Sequence, residues 1–270
     1  MVKRLDLKLL FFCVILFCSS TYYLFYTSYS LQYYLLLPFV AWIIIQLIEP
    51  KEFLHEVKLT KLGRTGLKIW GKIIGLAITM NVINYTILWS FTSANLNVSL
   101  LTVQSVTLSF FELLLVGVVF LFTSIIWQEI VWRGWIYERL RGKSFVLAVI
   151  SSSFGQTIFL APFIYFTYEL QHYGNVFILY VLFILFQVLL NIYLITLREE
   201  SQSIWPSSIF QAIYYISWDI GSDFTIDANV SSEYVGGLYG ITGILCLGFY
   251  IVLSSTIQKV IINKQQNASI

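Results

Sequence analysis

Charge is scarce in this sequence: Asp, Glu, Lys and Arg make up 11% of 270 residues, against 58% hydrophobic residues. A soluble globular chain carries roughly 25% charged residues, so too little polar surface is present to cover a water-exposed fold. Histidine occurs only as His55 and His172, and cysteine only as Cys13, Cys18 and Cys246. All three cysteines fall in apolar runs and read as free thiols, which excludes a disulfide framework. No cluster of His, Cys, Asp and Glu has ligand spacing, and no Gly-rich phosphate loop, basic nucleic-acid stripe or redox CxxC is present. Neither a cofactor nor a nucleic-acid partner is therefore expected. No A-x-A-like site follows Lys3 and Arg4, so the first apolar run is expected to stay as an anchor. The bulky Phe17 before Cys18 argues against a lipoprotein.

What is abundant is apolar sequence of helix length. Runs recur near 8–27, 31–48, 69–91, 106–127, 144–167, 175–197, 204–219 and 238–258. A helix needs about 20 residues to cross the hydrocarbon core, and most of these runs comply. Strand alternation is missing from them, and open sheet edges are not viable in lipid. The expected fold is all-α: a polytopic membrane helix bundle of about eight transmembrane helices, forming one domain over 1–270.

Basic residues orient it. Lys3, Arg4 and Lys8 precede the first run, and Lys51, Lys58, Lys61, Arg64, Lys68 and Lys72 follow the second. Arg133, Arg139, Arg141 and Lys143 follow the fourth, Arg198 the sixth, and Lys259 and Lys264 the eighth. The loops near 28–30, 92–105, 168–174 and 220–237 contain no Lys or Arg. Retention of positive charge in the cytoplasm then places both termini inside, in a plasma membrane. The basic stretch near 50–68 is expected to contact anionic lipid. The last outer loop and its edge carry Asp219, Asp223, Asp227 and Glu233, read as a solvated acidic loop or as an outward contact for a basic peptide or a partner ectodomain.

Ionisable groups inside the apolar zone are the default functional candidates. Glu112 lies inside the fourth run, and a hydrogen bond to the helix bearing Asn81 and Asn84 would explain it. Glu129 and Arg133 follow at its end, four residues apart and so on one helix face. One reading of them is an interfacial salt bridge within a belt of Trp127, Trp132 and Trp135. Lys72 is close enough to an interface to snorkel and needs no role.

The segment from Gln128 to Leu140, QEIVWRGWIYERL, resembles the first motif of the CPBP (Abi) family, EExxxR. That family includes prenyl-CAAX endoproteases and bacterial proteins linked to bacteriocin processing or self-immunity. Ser151-Ser152-Ser153-Phe154-Gly155-Gln156-Thr157-Ile158 resembles the segment of its second motif, FxxxH. The stretch from Ser203 to Tyr215, SIWPSSIFQAIYY, is similar to the third, HxxxN/D. The resemblance implies a CPBP-like region over about 105–258. It also implies site positions at Glu129, Arg133 and Gln211, with Gln211 replacing the third motif's histidine, and with Gln128, Ile158 and Tyr215 replacing the family's glutamate, second-motif histidine and asparagine or aspartate. An amide at 128 does not accept a proton as a carboxylate does, and isoleucine at 158 offers no hydrogen bond.

The favoured expectation is a non-catalytic CPBP-like protein in a bacterial membrane. It would hold a membrane-protein or peptide partner in the former substrate cavity, as a regulator, scaffold or bacteriocin self-immunity factor. The alternative is an active intramembrane endopeptidase using Glu129, with Gln211 as an oxyanion donor. A transporter or channel built around Glu112 is the third reading.

Overall fold

The computed structural model describes residues 7–26, 31–48, 67–171 and 174–253, and there the apolar runs are helices. They are α1 (Leu7–Tyr26), α2 (Leu31–Ile48), α3 (Leu67–Phe91), α4 (Val103–Arg141), α5 (Phe145–Gln171), α6 (Val176–Ser201), α7 (Trp205–Asp223), the short α8 (Val230–Gly236) and α9 (241–253). Lys3, Arg4, His55, His172, Lys259, Lys264 and most of the basic stretch 50–68 lie outside the described residues.

Among those residues, five helical stretches are long and apolar enough to cross a membrane: Trp70–Phe91, Val103–Arg141, Phe145–Tyr165, Val176–Ser201 and Val230–Leu253. Leu9–Tyr23 and Tyr34–Ile45 are shorter apolar helices. The seventh run forms a helix of 19 residues, started by Pro206 in its first turn. A proline is tolerated there because the first N–H groups of a helix have no partner within it. Its mixed polarity reflects the site it carries.

The helix ends sort into two groups. At one end Lys72 pairs with Glu200 at 2.8 Å, Arg198 with Glu138 at 2.6 Å, and Arg141 with Glu199 at 2.6 Å. Lys72, given no role from sequence, is therefore anchored to α6. At the other end Gly174 N–H donates to Glu233 at 2.9 Å, and β1 (Asn95–Leu96) pairs antiparallel with β2 (Thr225–Ile226). This two-residue pairing ties the loop after α3 to the loop after α7.

Helix α4 departs from expectation. A span over 106–127 followed by a motif at its end becomes a single helix of 39 residues, nearly twice a bilayer crossing. Two stretches of it, Leu121–Ile125 and Glu129–Ile136, are π-helical. The first half is largely exposed and apolar, as a lipid-facing surface is. Residues 128–137 are buried without a break, enclosed by α1, α2, α5, α6 and α7. A helix buried on every side has no interfacial face, so the Trp belt is not found. Trp132 and Trp135 are core residues against Phe12 of α1, and Trp127 is half-buried against Phe39 of α2.

Two apolar clusters meet at α6. One joins α1, α2, the second half of α4, α5 and part of α6; the other joins α3, α6, α7 and α9. Helix α3 clamps α7 through polar groups. Asn81 Nδ2 donates to the Tyr214 carbonyl at 2.8 Å, and the Tyr85 hydroxyl to the Trp218 carbonyl at 2.5 Å. Asn84 Nδ2 donates to the Gly236 carbonyl of α8 at 2.8 Å. These bonds correct the expectation for Glu112: the asparagines face α7 and α8, while Glu112 is exposed in the first half of α4.

The approach of α3 to α7 depends on Gly221, whose missing Cβ would fall inside the Tyr85 ring. Overpacking of this kind costs about 1–3 kcal/mol. Gly221→Ala is expected to lower the thermal unfolding midpoint of the detergent-purified protein. Gly75→Ala, with nothing within 4 Å, leaves it unchanged or slightly higher. Equal midpoints for wild type and Gly221→Ala would contradict the close contact.

Candidate functional site

Four helices converge on one charged pair. Glu129 and Arg133 both lie on α4 with no exposed surface, and Arg133 Nη1 donates to Glu129 Oε1. The (i, i+4) spacing expected from sequence therefore makes the ion pair, but deep in the protein and not at an interface. Two ions taken out of water are stable only if their remaining hydrogen-bonding capacity is met. Here α5, α6 and α7 meet much of it. Arg133 Nη2 donates to Gln156 Oε1 of α5 at 3.2 Å and to Asn191 Oδ1 of α6. Glu129 Oε1 also accepts from Gln211 Nε2 of α7, and Oε2 lies 2.5 Å from the Ser207 hydroxyl. That hydroxyl is 2.8 Å from the Ile204 carbonyl as well, and its single proton favours the nearer, charged acceptor.

Gln128 is bound differently. Its Nε2 donates to the Leu35 carbonyl of α2, and its Oε1 accepts from Trp132 Nε1 at 2.8 Å. Trp132 is itself fixed by α5: the Ser152 hydroxyl donates to its carbonyl at 2.6 Å, and a Cβ on Gly155 would sit 2.9 Å from its ring. The Ser-Ser-Ser-Phe-Gly segment thus acts chiefly by packing α5 against α4.

Beside the pair lies a cavity of about 340 Å³. Gln128, Gln156, Gln187 and Gln211 line it, with Tyr215, Trp218 and Asp219 of α7 and apolar residues of α2, α4 and α5. Glu129 is absent from this lining. The carboxylate turns to Arg133, and the motif presents its amide, Gln128, to the open space.

The structure brings Glu129, Arg133, Gln128, Gln211 and Tyr215 into one region. It does not bring in Ile158, which is 68% exposed, nor Phe154 of the same motif frame. On α5 the inward positions are Ser152, Ser153, Gln156 and Thr157, so Gln156 is what this helix contributes. Gln156, Gln187, Asn191 and Ser207 were not singled out from sequence. Gln187 and Asn191 did carry a signal, two amides at helical spacing inside an apolar run. It was missed because neither residue is ionisable and neither falls in a motif frame. His55 and His172 lie outside the described residues, and among those described no three His, Cys, Asp or Glu residues stand close enough to hold a metal ion.

Removing one partner of a buried pair strands the other charge, at about 3–5 kcal/mol. Arg133→Leu is therefore expected to lower the unfolding midpoint sharply. Arg133→Lys recovers only part of the loss, because a single ammonium does not replace a fork reaching Gln156 and Asn191 together. A wild-type midpoint for Arg133→Leu, measured in detergent, would remove the pair from its organising role.

A family model described as type II CAAX prenyl endopeptidase Rce1-like matches residues 110–217. No curated protein matches the chain. The matched segment runs from the first half of α4 into α7 and contains Glu129, Arg133, Gln156, Gln187, Asn191, Ser207 and Gln211. This segment, similar to CPBP or CAAX-protease proteins, is set in an all-α bundle whose long apolar helices are those of a membrane protein.

Proposed function

We propose that this chain is a non-hydrolytic CPBP-type protein that holds a membrane-protein or peptide partner in its cavity, as a regulator, scaffold or immunity factor. The observation that carries this reading is the division of labour at the motif. Glu129 has its oxygens committed to Arg133, Gln211 and Ser207 and does not line the cavity, while Gln128 does. Water activation needs a proton acceptor within hydrogen-bond reach of the bound reactant. An amide in that place binds but does not take up a proton. The position matching the second motif's histidine is Ile158, on the outer face of α5.

The setting of the protein belongs to the same proposal. The ion-paired end, with Lys72, Arg139, Arg141, Lys143 and Arg198, is the cytoplasmic side of a bacterial plasma membrane, by retention of positive charge. Both termini are then cytoplasmic, and the basic stretch near 50–68 meets anionic lipid. A transport role around Glu112 has little support, since Glu112 is exposed and does not line the cavity.

The hydrolytic alternative makes a different prediction for cells. Membrane-protein N-termini are to be compared by quantitative profiling in strains carrying wild type, Glu129→Ala or a deletion. All three are expected to share one set of N-termini. Products that need wild-type Glu129 would make the protein a glutamate-dependent endopeptidase and overturn the proposal.

A further inference from the structure

The wall of the cavity contains polar groups with no partner. Gln187 of α6 is 1% exposed and lines the cavity, and neither its Nε2 nor its Oε1 makes a hydrogen bond. Trp218 of α7 lines the same cavity, and its buried Nε1–H is also without an acceptor. A buried polar group left unpaired costs about 1–3 kcal/mol, and here three such atoms belong to two residues that line one space. The neighbouring amides do not share this condition. Gln128 is tied at both ends, and Gln156 and Gln211 are bound to Arg133 and Glu129.

The unmet groups define what would complete them. Gln187 offers an NH2 donor group and a carbonyl acceptor side by side, and Trp218 offers one further donor. A carboxylate or phosphate would satisfy the donors and leave Gln187 Oε1 facing negative charge. An ammonium, which Asp219 in the same wall would also attract, would still leave the N–H groups of Gln187 and Trp218 unmet, and a hydrocarbon chain would satisfy none. A peptide amide presents N–H and C=O together, with a second carbonyl one residue away. Apolar residues such as Val116, Val119, Leu160 and Ile164 supply the rest of the wall and suit an aliphatic side chain. We infer that Gln187, with Trp218, is the specificity-determining contact of this cavity and that it recognises the backbone amide of an apolar peptide segment. This rests on the cavity being the partner site proposed above. It adds the chemical group recognised and the residue that recognises it.

The test uses the full chain in detergent micelles and three matched probes: N-acetyl-leucine N′-methylamide, N-acetyl-leucine methyl ester and N-acetyl-leucine. Equilibrium binding to wild type is expected to favour the amide over the ester and the acid by about tenfold, as one to two hydrogen bonds imply. Gln187→Leu is expected to abolish that preference while its unliganded unfolding midpoint stays level or rises, since an unpaired buried amide has been removed. Equal binding of amide and ester, or no binding of any probe, would overturn the assignment. So would an amide preference that survives Gln187→Leu, which would point to buried water as the partner of Gln187. If Gln187→Leu does not fold, the amide–ester contrast on wild type still decides. Mass spectrometry of the recovered amide separates the two proposals: a cleaved probe would defeat the non-hydrolytic reading and leave the recognition standing.

Discussion

Burying one carboxylate and one guanidinium in the middle of a membrane bundle constrains everything around them. Neither ion tolerates that setting alone, and together they still require partners for their remaining lone pairs and N–H groups. Glu129 and Arg133 obtain those partners from three other helices: Gln156 on α5, Asn191 on α6, and Ser207 and Gln211 on α7. The pair therefore registers four helices against one another, which generic apolar packing in lipid does not do. Between hydrocarbon chains and leucines there is little to choose, so polar contacts of this kind carry much of the helix–helix specificity.

The same arrangement separates structure from binding. The charges look inward to one another, and the cavity beside them is faced with amides and aromatic rings. With one acidic residue, Asp219, among many apolar ones, such a surface is polar enough to orient a ligand and apolar enough to admit an aliphatic one. The π-helical stretch from Glu129 to Ile136 lies at this division. Helical segments of this type recur at functional sites.

Helix α7 makes the contrast between propensity and context plain. Ser207, Ser208, Gln211 and Asp219 lower its apolar character below that of its neighbours, and it is not among the stretches apolar enough to cross by composition. It is held instead by α3, whose Asn81 and Tyr85 bond its backbone carbonyls and whose Tyr85 ring occupies the space left by Gly221. Protein, and not lipid, is its solvent on that side.

From the residues alone, the class of fold, the positions of the long helices and the contact between Glu129 and Arg133 could be read. Each is set locally, by run length, by charge placement along the chain, or by four-residue spacing on one helix. The depth of the pair, the burial of Trp132 and Trp135, the pairing of Asn81 and Asn84 with α7 and α8, and the outward face of Ile158 could not. These depend on how helices rotate about their own axes and which helices become neighbours. A hydrophobic span has little amphipathic pattern to reveal that rotation, because lipid-facing and protein-facing residues are apolar alike. For the same reason Gln156, Ser207 and the Gln187–Asn191 pair read in sequence as unconnected polar residues on three helices. Only the tertiary structure makes them one site, since the groups that give each its meaning lie on other helices.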